Sequence, residues 1–377
     1  MPDFSALRNP RDITLLAAAT CTVIISYKCL SSFQKSKVII NNDDNNNTSA
    51  PENSKYVNVS GINIRYVDSG GGINDDDDDD DNDKRVDEMV LVMIHGFLGC
   101  LETWELVTQC LTTTKTKTSK LRVISLDLVG NGFSEKPLGN FNYSLQNQGK
   151  IVSEFIETLE LSNTILVGHS MGGVVAASAA LLAANNKLKG SGDTSCQRIR
   201  GAILVAPGFY QQKPTFFSNP FMYPIIRFLM GAAVRKQESS LRNNPSYFSE
   251  EMIHHFVTPT KTPNYFEALV ELGRVHERPY IEEMTNLLKI TTSSTSSTSS
   301  NNSTKQHFPI HFVWATNDKI APPSQADKIN TLVNQCVGGS SSVSQVILDE
   351  SSHYIQHDQP QKLASEIEQF SFKIQRK

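Results

Sequence analysis

The sequence lacks the cysteine arrangements that mark a metal ribbon or a disulfide scaffold. Its six cysteines, Cys21, Cys29, Cys100, Cys110, Cys196 and Cys336, are scattered through 377 residues with no paired metal spacing. No structural metal and no disulfide framework is expected. Cys100 has no base beside it in sequence and reads as a small apolar residue. A charge excess is missing as well: 35 Lys and Arg stand against 39 Asp and Glu, for a net charge of −4. Without a basic surplus there is no electrostatic footprint for nucleic acid. Much of the acid sits in one run, Asp75–Asp81 with Asp83, which reads as a solvated loop.

What is present begins at the N-terminus. "ITLLAAATCTVIISY", Ile13–Tyr27, is unbroken by charge, with Arg8 and Arg11 before it and Lys28 after it. Fifteen helical residues span about 22 Å, short of a ~30 Å hydrocarbon core. Extension to Phe33, with Lys28 snorkelling, gives about 31 Å. No small-x-small cleavage site follows the run. The segment 13–33 therefore reads as an uncleaved membrane anchor, and the chain as membrane-associated. A cleaved signal peptide, leaving a secreted or lumenal protein, is the rival. Basic residues on both flanks leave orientation open. Asn58-Val59-Ser60 permits N-glycosylation.

Polar low-complexity tracts punctuate the rest: "NNDDNNN" at 41–47, the Asp run, 112–120, 185–195, 291–304 and 338–344. Each is too polar to pack and reads as a surface insertion. Between them the chain alternates. "KYVNVSGINIRYVD" reads as a hairpin turning at Ser60-Gly61. "MVLVMIHG", "LRVISLDL", "NTILVGHS", "IRGAILVAPG" and "IHFVWATND" are short apolar runs suited to strands buried on both faces. Helical stripes separate most of them, as in Ile151, Val152, Phe155, Ile156 and Leu159. This alternation predicts an α/β fold with a mostly parallel sheet covered by helices and an antiparallel hairpin at one edge. One region breaks the rhythm: 209–290 has no strand-like run and reads as a helical insertion. The expected organisation is an N-terminal flank 1–12, the anchor 13–33, a polar linker 34–54, core 55–208, helical cap 209–290, loop 291–304 and core 305–377.

The strand "NTILVGHS" passes straight into "MGGVVAASAALLAA", a run with nearly every face apolar or small. Gly168-His169-Ser170-Met171-Gly172 occupies the junction. Gly-x-Ser-x-Gly between a buried strand and a helix is a nucleophile elbow: a tight turn presents the serine Oγ, and the helix N-terminus adds free N–H groups. The pattern alone is weak; its placement between strand and helix strengthens it. A serine needs a base, and the base an orienting acid. "IHFVWATNDKIAPP" ends its strand near Asp318, and "QVILDESSHYIQHDQP" is followed by His353. Ser170…Asp318…His353 is a chain order in which such triads occur. His357 is the competitor for His353. His254, His255 and His276 read as packing or surface residues, and Asp349 and Glu350 as solvated charges. The oxyanion donors expected are the backbone N–H groups of Met171, after the serine, and Phe97, in "HGF" after the first parallel strand.

At these positions the sequence resembles the α/β-hydrolase superfamily. The matching motifs are "HGF" at 95–97, "DLVGNGFS" at 127–134, "GHSMGG" at 168–173, "WATNDKIAPP" at 314–323 and "SSHYIQHDQP" at 351–360. The resemblance runs from about Tyr56 to the C-terminus, apart from the low-complexity tracts. It implies that 209–290 roofs the pocket and that Asp127 has a structural role beside the site. Epoxide hydrolases and haloalkane dehalogenases of that superfamily carry an aspartate at the nucleophile position, so Ser170 argues against both. The serine branch includes membrane-anchored monoacylglycerol lipases and other carboxylesterases. The expected activity is hydrolysis of a small apolar carboxylic ester, a monoacylglycerol-like lipid, with no metal or organic cofactor. Thioester or carbon–carbon bond cleavage by the same residues is the alternative within enzymes. A non-catalytic interaction protein on the same fold is the alternative outside them.

Overall fold

The run Met89–Ile94 (β3), MVLVMI, is buried at every position. An apolar run without alternation can be satisfied only where helices cover both faces of a sheet. Thr164–His169 (β5) and Ile310–Ala315 (β7) are likewise buried throughout. Leu121–Leu126 (β4) and Ile199–Val205 (β6) are fully buried toward their carboxyl ends. The structure is a computed structural model describing residues 49–70, 88–113, 121–188, 198–210, 219–243, 249–274, 280–290, 308–337 and 342–376. With Lys55–Val59 (β1), Ile62–Asp68 (β2) and Val343–Leu348 (β8), the strands form one eight-stranded sheet ordered β1-β2-β4-β3-β5-β6-β7-β8. The β1–β2 and β2–β4 pairs are antiparallel; every later pair is parallel. The hairpin turns at Ser60 (φ 50°) and Gly61 (φ 86°), the two left-handed residues that match strand twist in a two-residue loop.

This order positions the site. After β3 the chain crosses to one side to form β4, then to the other side to form β5. The connections leaving the carboxyl ends of β3 and β5 therefore diverge and open a crevice at the switch point.

Helices cover the sheet: Glu105–Thr113 (α1), Leu145–Thr158 (α2), Met171–Leu188 (α3), Ser324–Val337 (α8), Ile355–Asp358 (α9) and Pro360–Gln375 (α10). Ser144 caps α2 by accepting a bond from Asn147 N–H, and the helix buries Ile151, Val152, Phe155 and Ile156. In α3, Val174, Val175, Ala176, Ala177, Ala179 and Ala180 are all buried, as its all-round small and apolar composition requires. The helix runs to Leu188, so the first four residues of the tract at 185–195, expected as loop, are helical. Extending an existing helix costs little, and polar residues are tolerated at its end.

Among the described residues, four α-helices lie between β6 and β7: Tyr223–Arg242 (α4), Glu250–Val257 (α5), Tyr265–Arg274 (α6) and Ile281–Ile290 (α7). Ile226 and Met230 of α4 pack with Tyr265, Leu269 and Val270 of α6, and Phe97 and Leu98 lie against them. Leu241, Met252, Ile253 and Phe256 enclose Cys100. The inserted helices thus pack on the loop that follows β3. The last helix, α7, joins the main core through Met284, Leu287 and Leu288. The flank 1–12, the anchor 13–33, residues 34–48 of the linker, the Asp run and the loop 291–304 lie outside the described residues. Among the described residues no helix is long and apolar enough to cross a membrane. The low-complexity tracts that follow β2, α1, α3, α7 and α8 all fall in connections leading into a parallel strand.

One buried ionic cluster ties the hairpin to the loops beside the crevice. Arg65 of β2 is fully buried; its Nη1 donates to Asp127 at 3.1 Å, its Nη2 to Glu102 at 2.7 Å, and its Nε to Ser54 Oγ at 2.8 Å. Its guanidinium also lies 5.0 Å from the Phe133 ring centre. Burial opposes the arginine charge, but the two carboxylates outweigh it and hold the group protonated. Removing one member strands buried charge. Arg65→Met is expected to lower unfolding free energy by about 3–5 kcal/mol in urea titrations; a change below about 1 kcal/mol would deny the cluster this role.

Candidate active site

Ser170 is the residue at which β5 becomes α3, and its backbone is left-handed at φ 53°. A serine there is strained, and such strain persists only where the surroundings over-determine it. They do so here: Ser170 N–H donates to Val205 O at 2.9 Å, and Ser170 O accepts from Gly173 N–H at 3.0 Å and Gly208 N–H at 3.1 Å. The turn closes because two neighbours lack side chains. A Cβ on Gly168 would collide with the backbone of Gly172 and Gly173, and one on Gly172 with the carbonyls of Ile94 and His95.

The serine meets a histidine from one distant strand end, which in turn meets an aspartate from another. His353, in the loop after β8, places Nε2 2.9 Å from Ser170 Oγ. Its Nδ1 lies 2.8 Å from Oδ2 of Asp318, which follows β7. A carboxylate only accepts, so Nδ1 carries the proton and Nε2 is free to accept from the serine hydroxyl. The other Asp318 oxygen accepts from Ile320 N–H at 2.7 Å and Ala321 N–H at 2.8 Å. Burial alone would raise the Asp318 carboxyl; the His353 contact and those two amides outweigh it and hold the group below its ordinary value. All three side chains are buried, with Ser170 and His353 each 7% exposed and Asp318 4%.

The loop after β3 presses on this cluster. A Cβ on Gly96 would stand 3.2 Å from Ser170 Cβ and 3.0 Å from His169 Nδ1. Phe97 follows directly, and Met171 opens α3, where the first-turn amides have no intrahelical acceptor. The loop is held from below and above. His95 donates from Nδ1 to Gly96 O at 2.7 Å and accepts from Leu128 N–H at its Nε2 at 3.1 Å. Burial keeps that imidazole below its ordinary value, hence neutral, as this donor–acceptor pair requires. Asp127 accepts from Leu101 N–H at 2.7 Å and Phe133 N–H at 2.8 Å, besides Arg65. Its position beside the site is the structural one that the resemblance implies. From above, Gln237 of α4 donates to the carbonyl of Leu98 at 3.2 Å, where the loop is again left-handed at φ 62°.

The competing residues lie elsewhere. His357 stacks on Tyr354 with ring centres 5.9 Å apart and faces the Phe256 ring at 6.3 Å. His254 bonds Thr258 within the roof. Asp349 and Glu350 are exposed, and His276 falls outside the described residues. Two participants were not singled out in the sequence. Nothing in α4 marks Gln237, and the "GHSMGG" motif contains His169 without indicating what it touches. Among the described residues, no group of three or more His, Cys, Asp or Glu gathers as a metal site.

Two outcomes follow from this geometry. Ser170→Gly removes the strained Cβ, so it is expected to raise stability by about 1 kcal/mol in urea titrations; a loss would show that the left-handed turn carries no strain. Burial pushes His357 down to about 4, against a Thr103 backbone bond and Asp358, which raise it. An unfolded histidine titrates near 6.5, so below that pH the unfolded chain gains a proton that the folded chain refuses, and stability falls as pH drops toward 4. From pH 7 to pH 5 the wild type is expected to lose about 2 kcal/mol more than His357→Gln. Parallel stability profiles for the two proteins would refute this.

Comparison with known proteins places the chain among relatives. A family model described as alpha/beta hydrolase fold matches residues 89–360. An uncharacterized hydrolase, YugF, of Bacillus subtilis is 25% identical over 285 residues, covering 74% of this chain and 89% of that protein. The dihydrolipoyllysine-residue acetyltransferase component of the acetoin cleaving system of Pseudomonas putida is 25% identical over 266 residues, covering 71% of this chain and 59% of its own length. Among solved structures, a thermophilic esterase from Thermogutta terrifontis superposes with a TM-score of 0.56 at 19% identity, covering 85% of this chain and 99% of that one. The epoxide hydrolase CorEH superposes with a TM-score of 0.57 at 17% identity, covering 85% and 99%. At such identities the superpositions speak for the fold alone.

Proposed function

The chain belongs to the α/β hydrolase fold family, which makes it a hydrolase at that level of description, and we propose that it cleaves carboxylic esters of an apolar acyl substrate through an acyl-enzyme on Ser170. The observation that carries this reading is the continuous chain from Ser170 Oγ to His353 Nε2 at 2.9 Å and from His353 Nδ1 to Asp318 at 2.8 Å.

In this reading, His353 accepts the Ser170 proton as Oγ attacks the ester carbonyl. Asp318 holds the imidazole in the tautomer that leaves Nε2 free, and it stabilises the imidazolium that forms. The negative charge developing on the carbonyl oxygen is met by the N–H groups of Met171 and Phe97 and by the N-terminus of α3. His353 then returns the proton to the leaving alcohol. Water, activated by the same histidine, resolves the ester on Ser170. No metal or organic cofactor takes part. A serine also separates this chain from chemistry that proceeds through an alkyl–aspartate ester, since an alkyl ether on serine would not be released by water.

An apolar lipid substrate is supported by the aromatic and aliphatic insertion over the site and by the uncharged segment at 13–33. The same segment supports attachment to a membrane surface. The mutual placement of triad and loop is equally suited to thioesters, so chemistry on a panel separates the classes.

A fluorophosphonate probe is expected to label the wild type and not Ser170→Ala. Equal labelling of both proteins would remove Ser170 as the nucleophile. With p-nitrophenyl esters of rising chain length, acyl-thioesters and vinylogous diketones as substrates, the esters are expected to give the highest kcat/KM. Faster turnover of a thioester or diketone would reassign the reaction.

A further inference from the structure

The geometry points to His169 as a positioning residue for the reaction proposed above: its ring ties the backbone of the base loop to the nucleophile elbow. The inference rests on that reading of Ser170 and His353 and adds to it a member that touches no reacting atom.

His169 is the last residue of β5, 2% exposed, and its backbone is continuous with Ser170. Its Nε2 lies 2.8 Å from the main-chain oxygen of His353. A carbonyl can only accept, so Nε2 carries the hydrogen and Nδ1 is the acceptor. Gln356 Nε2, also fully buried, approaches that acceptor at 3.4 Å, the outer limit of a hydrogen bond. The two rings, His169 and His353, stand 4.9 Å apart and tilted by 52°. Gly96 packs against the same ring, since a Cβ there would approach His169 Nδ1 to 3.0 Å. The ring therefore meets the base loop and the loop carrying Phe97, and stands one residue from the nucleophile.

The mechanical consequence follows from connectivity. His353 reaches across to Ser170 and Asp318 through its side chain. Its main chain would be free to shift along that direction if only the side chain were held. Elsewhere the loop is fastened at its flanks: Asn317 N–H donates to Ser351 O at 2.9 Å, and Ser352 N–H donates to Asp358. The His169 bond holds the residue itself. It closes a ring of contacts, from Ser170 through the His353 side chain to the His353 carbonyl, and back through the His169 ring to the residue beside Ser170. Burial together with the neighbouring His353 keeps His169 well below its ordinary value, so it stays a neutral donor and does not compete as a base. A neutral ring also adds no charge to oppose the imidazolium that forms on His353.

The test compares two nearly isosteric replacements in the full chain, His169→Gln, which keeps an N–H donor, and His169→Met, which has none. Turnover of p-nitrophenyl butyrate is normalised to serine titrated by the fluorophosphonate probe, so that unfolded protein is not counted. His169→Met is expected to lower kcat about 10- to 100-fold, the scale of an ångström-sized misplacement, with KM within about threefold of wild type. His169→Gln is expected to recover most of the loss. A residue that served stability alone would leave kcat per titrated serine unchanged. Equal kcat for the Gln and Met proteins overturns the positioning role. Should His169→Met yield no titratable protein, His169→Leu takes its place under the same criterion. Ser170→Ala is run alongside. Undiminished turnover by that protein defeats the ester-hydrolase reading, whereas an inactive Ser170→Ala with indistinguishable Gln and Met proteins defeats only the role of His169.

Discussion

The constraint on which the arrangement depends is the left-handed turn at Ser170. A strand buried on both faces must hand over to a helix that is itself buried, and there is room for this only if the backbone folds back within one residue. The conformation costs roughly 1–3 kcal/mol for a residue with a side chain. It is offset by three backbone bonds at Ser170 and by the burial of α3 against the sheet. The turn, in exchange, sets the serine oxygen at the mouth of the crevice between the ends of β3 and β5. The His353 ring and the loop through Gly96 are both set against that fixed point.

The electrostatics around it are spare. His95 and His169 are held neutral by burial, each with one nitrogen donating and the other accepting. Asp318 is the carboxylate in direct contact with His353, and its second oxygen is satisfied by two backbone amides. The ion cluster of Arg65, Asp127 and Glu102 braces the loop after β3 through the bond from Leu101 N–H to Asp127. A neutral surround of this kind suits the transient pairing of one imidazolium with one carboxylate, because no other charge must reorganise when the proton moves. The helical insertion takes part in the same bracing. Gln237 reaches from α4 to the Leu98 carbonyl, so the loop that presents Phe97 is held by both the sheet and the inserted helices.

Much of this was legible in the chain, for identifiable reasons. Strands such as MVLVMI announce burial on both faces because they show no polar alternation. The elbow is legible because its strand, glycines and helix are contiguous. Asp318 and His353 could be picked out by the rule that parallel-sheet sites gather at strand carboxyl ends, and the structure brings His353 into contact with both Ser170 and Asp318. Other features were not legible. The bond from His169 to the His353 carbonyl joins residues 184 positions apart and involves a backbone atom, which leaves no trace in residue type. Gln237 reads as one more polar residue on a helix. The amphipathic pattern of Ile281–Ile290 shows that one face is buried, yet not that it is buried in the main core through Met284, Leu287 and Leu288. The extent of α3 through Leu188 is not marked by composition, because polar residues extend a helix that has already begun.

The polar tracts that lead into the parallel strands have a consequence of their own. A connection that feeds such a strand meets the sheet at its amino edge, whereas Ser170, Asp318, His353 and the loop through Phe97 all depart from the carboxyl edge. The length of the strands, about 20 Å for six residues, separates the two rims. Repeats of Asp, Ser, Thr or Asn can therefore lengthen or shorten over generations on one rim while the reacting atoms on the other keep their spacing. The fold divides its periphery into a rim open to drift and a rim closed to it.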